Sequence, residues 1–181
     1  MIIEGKEIHF GIDKPVPYFQ VSDEYRVRFG YEMMKGSLIK QILTDTYSND
    51  NFDMEFLLRV IEGPYIQNEK TNLGRYFKIT NWKEVFHKGA EEVDYINVIV
   101  KNIALKPLIK YITNVVCGNE RSSYIIFFSS DKLIYVSTDV MDIVSHDTVF
   151  IERLKEKYKD IYDKYHVLGG QDDNRRERDI F

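Results

Sequence analysis

The most restrictive feature of the sequence is a succession of three short apolar runs between residues 124 and 145, separated by turn residues. These runs are YIIFF at 124–128, LIYVS at 133–137 and MDIVS at 141–145. Short runs rich in β-branched and aromatic residues, bounded by Ser and Asp, are typical of strands joined by tight turns. The pattern predicts a hairpin that continues into a third antiparallel strand.

Other segments carry apolar residues at helical spacing. One stripe lies between residues 38 and 47, and a second follows Pro107 and ends near Gly118. Proline is favoured in the first turn of a helix and glycine just after its last turn, so these two residues mark the predicted start and end of the second helix. A longer stripe predicts a helix from about Thr148 to His166. Further strand candidates lie at 24–31, 54–61 and 94–100. The elements together predict an α+β fold, in which a mostly antiparallel sheet carries amphipathic helices.

The segment EYRVRFGY at 24–31 alternates cleanly, with Val27 and Phe29 on one face and Arg26 and Arg28 on the other. Such alternation predicts a strand that is buried on one face only.

The chain has 181 residues, which favours one domain. We assign it to residues 1–170, with an irregular, insertion-like region at 63–92 and a charged tail at 171–181. Within the irregular region, aromatic side chains are expected to anchor the chain to the core. These are Tyr76, Phe77, Trp82 and Phe86.

Composition narrows the classes of function. The single cysteine, Cys117, excludes an internal disulfide framework and is expected to be a small core residue. The N-terminus lacks the apolar segment of a signal peptide, and no run is long enough to span a membrane, so we expect a cytoplasmic protein. A net charge of −4 argues against direct nucleic-acid binding and permits a basic partner. No nucleotide-binding, hydrolase or metal motif is present, so no cofactor or metal is predicted.

The stretch LIYVSTDVMDIVSHD at 133–147 contains several groups that could do chemistry. Asp139 falls in the predicted turn, where Asp is favoured, and Asp147 precedes the last helix as a predicted N-cap. Asp142 and His146 remain, on the same side of a short strand. They have a structural role, belong to an interaction surface or act in catalysis.

Acidic residues concentrate in two groups that predict either solvated faces or a surface that docks on a basic protein. The first group, around the end of the first helix, is Asp45, Asp50, Asp53 and Glu55. The second group, ahead of the strand at 94–100, is Glu84, Glu91, Glu92 and Asp94.

The order of elements and several motifs resemble the bacterial domain family of unknown function DUF3885. The segment YRVRFGYE at 25–32, with Arg28 and Phe29, resembles the family's first strand. The stretch 133–147 follows in the expected order, and Tyr135, Asp139 and Asp142 match its pattern. Val140 and Met141 stand where the family tends to have Arg-Gly, so no role of that arginine carries over.

Relatives of that family occur among immunity proteins of bacterial toxin systems, including contact-dependent growth inhibition. The resemblance therefore implies an antitoxin without catalytic activity, which covers the active site of a cognate secreted toxin, such as a nuclease. Two alternatives stay open. The first is a small hydrolase or nuclease that uses Asp142 and His146. The second is an adaptor that oligomerises through an exposed strand edge.

Overall fold

The computed structural model describes residues 1–47, 52–90 and 92–164. The described residues form an α+β protein, in which three α-helices accompany a mostly antiparallel eight-stranded sheet and a small two-stranded sheet. The helices are α1 (Gly36–Tyr47), α2 (Leu105–Val116) and α3 (Thr148–Lys157). The strands are β1 (Ile2–Ile3), β2 (Lys6–Glu7), β3 (Arg26–Gly30), β4 (Phe52–Glu62), β5 (Tyr65–Asn68), β6 (Trp82–His87), β7 (Val93–Ile103), β8 (Ile125–Phe128), β9 (Lys132–Val136) and β10 (Val140–Ser145).

The main sheet has the strand order β3-β10-β9-β8-β4-β7-β6, and β5 pairs with β4. The predicted meander is confirmed, because β8, β9 and β10 pair in sequence and antiparallel. In its central row, Ile134 lies opposite both Phe127 and Ile143. This register directs one set of large apolar side chains to the same face of the sheet.

The centre of the sheet is buried on both faces. All three helices contribute to the core on one face, through residues such as Ile42, Ile112 and Ile151. The N-terminal segment covers the other face, where Ile8 and Phe10 pack against Tyr135. The expectation of a half-buried strand at 24–31 is therefore wrong, because the N-terminal segment covers the face that the alternation assigned to solvent.

Helix α3 is shorter than the sequence predicted, since it ends at Lys157. The chain then turns, and Tyr162 forms a bridge to Phe29 of β3. The Asp163 backbone N–H donates to the Arg28 carbonyl oxygen at 2.9 Å. Pairing with β3 satisfies backbone groups that would otherwise continue the helix. His166 and the predicted tail at 171–181 lie outside the described residues.

The region at 63–92 is more regular than predicted. Gly63, with a φ of 54°, and Pro64 form a two-residue turn between β4 and β5, and β6 follows within the same region. A positive φ at the first turn position suits a tight hairpin, and Gly adopts it without strain. Phe77 is buried, as expected of an anchor.

Among the described residues, no helix combines the length and the apolar character needed to cross a membrane.

Candidate binding surface

Two of the acids in the stretch at 133–147 have the local roles that the sequence predicted. The Ser137 hydroxyl donates to Asp139 Oδ1 at 2.9 Å in the turn between β9 and β10. The Phe150 backbone N–H donates to Asp147 Oδ1 at 3.1 Å, so Asp147 caps α3. Both contacts satisfy backbone or turn geometry and leave no reason to invoke chemistry at these residues.

Asp142 lies in the core, with none of its surface exposed. Its carboxylate accepts two hydrogen bonds from Arg28, from Nε at 2.7 Å and from Nη2 at 2.9 Å. The guanidinium also lies 4.2 Å from the centroid of the Tyr18 ring. A buried carboxylate held by a bidentate guanidinium is a structural ion pair rather than an available acid or base.

Three of the five positions that carry the family resemblance form one row of the sheet. Asp142 lies opposite Arg28 on one side and opposite Tyr135 on the other. Phe29 is fully buried and makes an edge contact with the ring of Tyr158. Only Asp139, in the turn, is exposed. The other four positions therefore organise the core.

The structure does not assemble a site from Asp142 and His146. His146 is exposed, and its Nδ1 lies 3.2 Å from the carbonyl oxygen of Asp131. Four residues of extended chain separate its Cα from that of Asp142 by about 13 Å. Within residues 1–47, 52–90 and 92–164, no group of His, Cys, Asp and Glu side chains could hold a metal ion.

Two members of the first acidic group, Asp45 and Asp53, make hydrogen bonds within the protein. Asp45 Oδ2 accepts from Lys157 Nζ at 2.6 Å and from the Tyr158 hydroxyl at 2.5 Å. Asp53 Oδ1 accepts the Asn102 backbone N–H at 2.9 Å. Asp50 lies outside the described residues. Asp45 and Asp53 therefore each have a partner within the protein, one in helix packing and one at a strand end.

Glu55 lies on the opposite face of the sheet from Asp45. It lines a cavity of about 80 Å³ together with Ile8, Phe10 and Ile126, and accepts a hydrogen bond of 2.7 Å from Asn97 Nδ2. Burial raises the pKa of this carboxyl, and the Asn97 hydrogen bond offsets the rise only in part. Burial under the N-terminal segment therefore disfavours the ionised form of Glu55. Glu55 does not share a surface with Asp45.

The second acidic group lies at the far end of the sheet, where Glu84 and Glu92 are exposed and Asp94 is partly buried. Glu84 is in β6, Asp94 is near the start of β7, and Glu92 is in the intervening turn. Glu91 lies outside the described residues. Neither Glu84 nor Asp94 makes an ion pair within 4.0 Å in the described part of the chain.

Large apolar side chains accompany these acids. Trp82 and Phe86 alternate with Glu84 along β6 and expose 53% and 55% of their surface. Cross-strand pairs continue the same face, from Phe86 to Ile96, and from Asp94 through Ile61 to Ile66. We call this set the aromatic–acidic face. It consists of Trp82, Glu84, Phe86, Asp94, Ile96, Ile61, Ile66 and one cation, Arg59, which lies opposite Ile96.

The expectation that Trp82 and Phe86 anchor the core is wrong. They share a face with the core residues Val98 and Val100, but they lie on the outermost strand, where they remain more than half exposed. A partial signal for this arrangement is present in WKEVFH at 82–87, where the polar Glu84 falls between the two aromatics on the same face of the strand.

Neither Cys117 nor His87 belongs to a candidate site. Cys117 is exposed at the end of α2, so the expectation of a core residue is wrong. The helix stripe ends before it, and the Cys117 N–H closes the last turn onto the Thr113 carbonyl oxygen. His87 stacks on Tyr95 with ring centroids 4.8 Å apart, and burial lowers the pKa of the imidazole.

The chain was compared with protein-family models, curated proteins and solved structures, and none of the three comparisons found a match. The resemblance to DUF3885 therefore stays a prediction. The aromatic–acidic face is identified by the exposure and charge of its residues and not by likeness to a relative.

Proposed function

We propose that this chain is an immunity protein that binds and neutralises a cognate secreted bacterial toxin, a nuclease, through the aromatic–acidic face. The observation that carries the proposal is the position of Glu84 between the exposed side chains of Trp82 and Phe86 on the outermost strand. Aromatic side chains dominate the binding energy of protein interfaces, and a charge beside them selects the partner.

The exposed apolar area supports a binding role. Each large aromatic side chain buries about 150–250 Å² when fully covered. Leaving Trp82, Phe86 and Ile66 exposed on one face is unfavourable in a monomer, because contiguous apolar patches promote association. A partner that covers this face would remove that area from water.

The charge of the face indicates which partner fits. Glu84 and Asp94 outnumber the one cation of the face, Arg59, which donates to Asn68, and the whole chain has a net charge of −4. Nucleases bind phosphates through Lys and Arg, so an acidic protein is complementary to their substrate cleft. The same complementarity would accelerate encounter with the toxin.

The proposal is tested by co-expressing the chain with the toxin domain encoded by the adjacent upstream gene. We expect a stable complex and protection of the cells. The Trp82→Ala and Phe86→Ala double variant should bind at least about 30-fold more weakly, as expected for lost hot-spot residues. Val149→Ala is the matched control, because Val149 is an exposed apolar residue on α3, outside the face.

Three outcomes would overturn the proposal. The immunity role fails if the neighbouring product is harmless on its own, or if it forms no complex with this chain. If the complex forms but the double variant and the control bind equally, the interface lies elsewhere.

The oligomeric adaptor is a second candidate, favoured by the exposed edge of β6. It predicts a concentration-dependent dimer or larger assembly in sedimentation velocity, and a monomer at high concentration would contradict it. The hydrolase alternative required Asp142 and His146 to act together. The structure does not support it, because Asp142 is buried against Arg28 while His146 is exposed.

A further inference from the structure

The two ends of the main sheet differ in how their edges are covered. At one end, the edge of β3 is covered by the segment after α3, through the Phe29–Tyr162 bridge and the hydrogen bond from the Asp163 N–H to the Arg28 carbonyl oxygen. At the other end, β6 pairs with β7, and no other described strand lies beyond it. The outer backbone groups of β6 are therefore open to another strand.

The exposed edge lacks two of the features that usually protect one, a proline and a bulge. Strand β6 contains no proline, and its six residues pair with β7 in a continuous register without a bulge. Soluble proteins commonly disrupt an open edge with proline, a bulge or inward-pointing charges, because a regular edge recruits other strands. Here only Lys83 and Glu84 carry charge, and two exposed aromatics flank them.

We propose that β6 is the site at which the partner adds an extended strand to the sheet. The inference rests on the proposed function and specifies the mode of binding and the chemistry of the bound segment. Alternate residues of a strand lie about 7 Å apart on one face. We therefore expect the bound segment to carry a Lys or Arg opposite Glu84. One apolar residue should lie two positions before this cation and another two positions after it, opposite Trp82 and Phe86.

The charge of Glu84 favours a basic strand from another protein over a second copy of this chain. Two copies of β6 related by a two-fold axis can pair Trp82 with Phe86 only in the register that places Glu84 opposite Glu84. Moving the axis to Val85 places Trp82 opposite Lys88 and Glu84 opposite Phe86. Like charges directly opposite each other on a sheet are destabilising, whereas opposite charges stabilise the pair. A basic strand from a different protein fits both the aromatics and the acid.

The test uses the full chain and blocked synthetic peptides. The probe is Thr-Leu-Thr-Lys-Thr-Leu-Thr, and the matched control carries Glu in place of Lys. In an NMR titration, we expect the probe to shift the amide signals of β6 and to bind about five-fold more tightly than the control at low salt. Equal binding of the two peptides, or shifts confined to residues away from β6, would overturn the inference.

Backbone methylation distinguishes strand addition from a contact made by side chains alone. Only every second N–H of an added strand points to β6. We therefore expect N-methylation of one alternate set of peptide amides to abolish binding, while methylation of the other set leaves it within about two-fold. If both sets behave alike, strand addition is wrong.

The toxin complex separates this inference from the proposed function. Strand addition predicts strong protection of the outward-facing β6 amides from hydrogen exchange in the complex. A toxin that binds without protecting them overturns strand addition and leaves the immunity role intact. If no toxin binds but the peptide pattern holds, the immunity role fails while the edge remains a strand-binding site. A dimer of the chain formed through β6 would contradict the choice of a basic partner.

Discussion

The guanidinium of Arg28 and the carboxylate of Asp142 form a buried bidentate ion pair between residues 114 positions apart in the sequence. The pair joins β3 to β10 at the edge of the meander and places two charges where the surroundings are otherwise apolar. Each charge therefore depends on the other, since an isolated charge at this depth would be strongly destabilising.

Removing one member of this pair should destabilise the fold severely. Arg28→Met keeps most of the aliphatic side chain but leaves the Asp142 carboxylate buried without its bidentate partner. We expect the free energy of unfolding, measured with urea, to fall by about 3–5 kcal/mol. The double variant Arg28→Met, Asp142→Leu should recover much of the loss, because neither charge remains. Asp23→Ala, which removes the acid paired with the partly exposed Arg26, should cost about 1 kcal/mol or less. A similar loss in Arg28→Met and Asp23→Ala would contradict this account.

Local patterns were sufficient to predict much of this fold. The meander, α1, α2 and the N-cap at Asp147 depend on periodicity and turn chemistry within a few residues, and all are present. The Arg28–Asp142 pair could not be predicted in this way, because it requires the register between β3 and β10. The alternation at 24–31 showed a charged face, and only the N-terminal segment buries it.

The residues of the proposed binding surface were predicted only in part. Glu84 and Asp94 were expected on a docking surface, and both lie on the aromatic–acidic face. Trp82 and Phe86 were assigned to the core, because aromatic residues are usually buried and the sequence does not reveal which strand lies at the edge. The end of α3 was missed for a similar reason, since pairing with β3 overrides its helical stripe.

Glu55 should make the stability of the protein depend on pH in a defined direction. Burial raises the pKa of this carboxyl above its ordinary value of 4.5, so the folded state holds the proton to higher pH than the unfolded state. Stability from this group is therefore present below about pH 4.5 and is lost as the pH rises through the raised pKa. Glu55→Gln, which stays neutral and keeps an acceptor for Asn97, should be more stable than the parent at pH 7.

The measurement is the difference in unfolding free energy between Glu55→Gln and the parent across the pH range. The advantage of the variant should shrink as the pH falls towards 4.5 and disappear below it. Other carboxyls, whose pKa values are lowered, act in the opposite sense but cancel in this difference. They include Glu4, Asp13, Glu120 and Asp131. An advantage that grows on acidification would contradict the assignment.

The cap of α3 provides a test of a contact predicted from sequence alone. Asp147→Ala removes the acceptor of the Phe150 N–H and should lower the free energy of unfolding by about 1 kcal/mol. Asp147→Asn keeps an acceptor oxygen and should retain most of the stability. If both variants lose the same amount in urea denaturation, the cap hydrogen bond is not the cause.

The charge of Glu84 should control how fast the partner arrives. Glu84→Lys places a cation between Trp82 and Phe86 and should slow association with a basic toxin by about ten-fold at low salt. The effect should weaken as salt rises, since exposed charges are screened over about 10 Å at 0.1 M. Glu156→Lys on α3 makes the same change in net charge away from the face and isolates the local effect. The association rate constants of the two variants are measured by stopped flow or surface plasmon resonance at several salt concentrations. Equal slowing by both variants would show that the net charge of the chain, and not the aromatic–acidic face, attracts the partner.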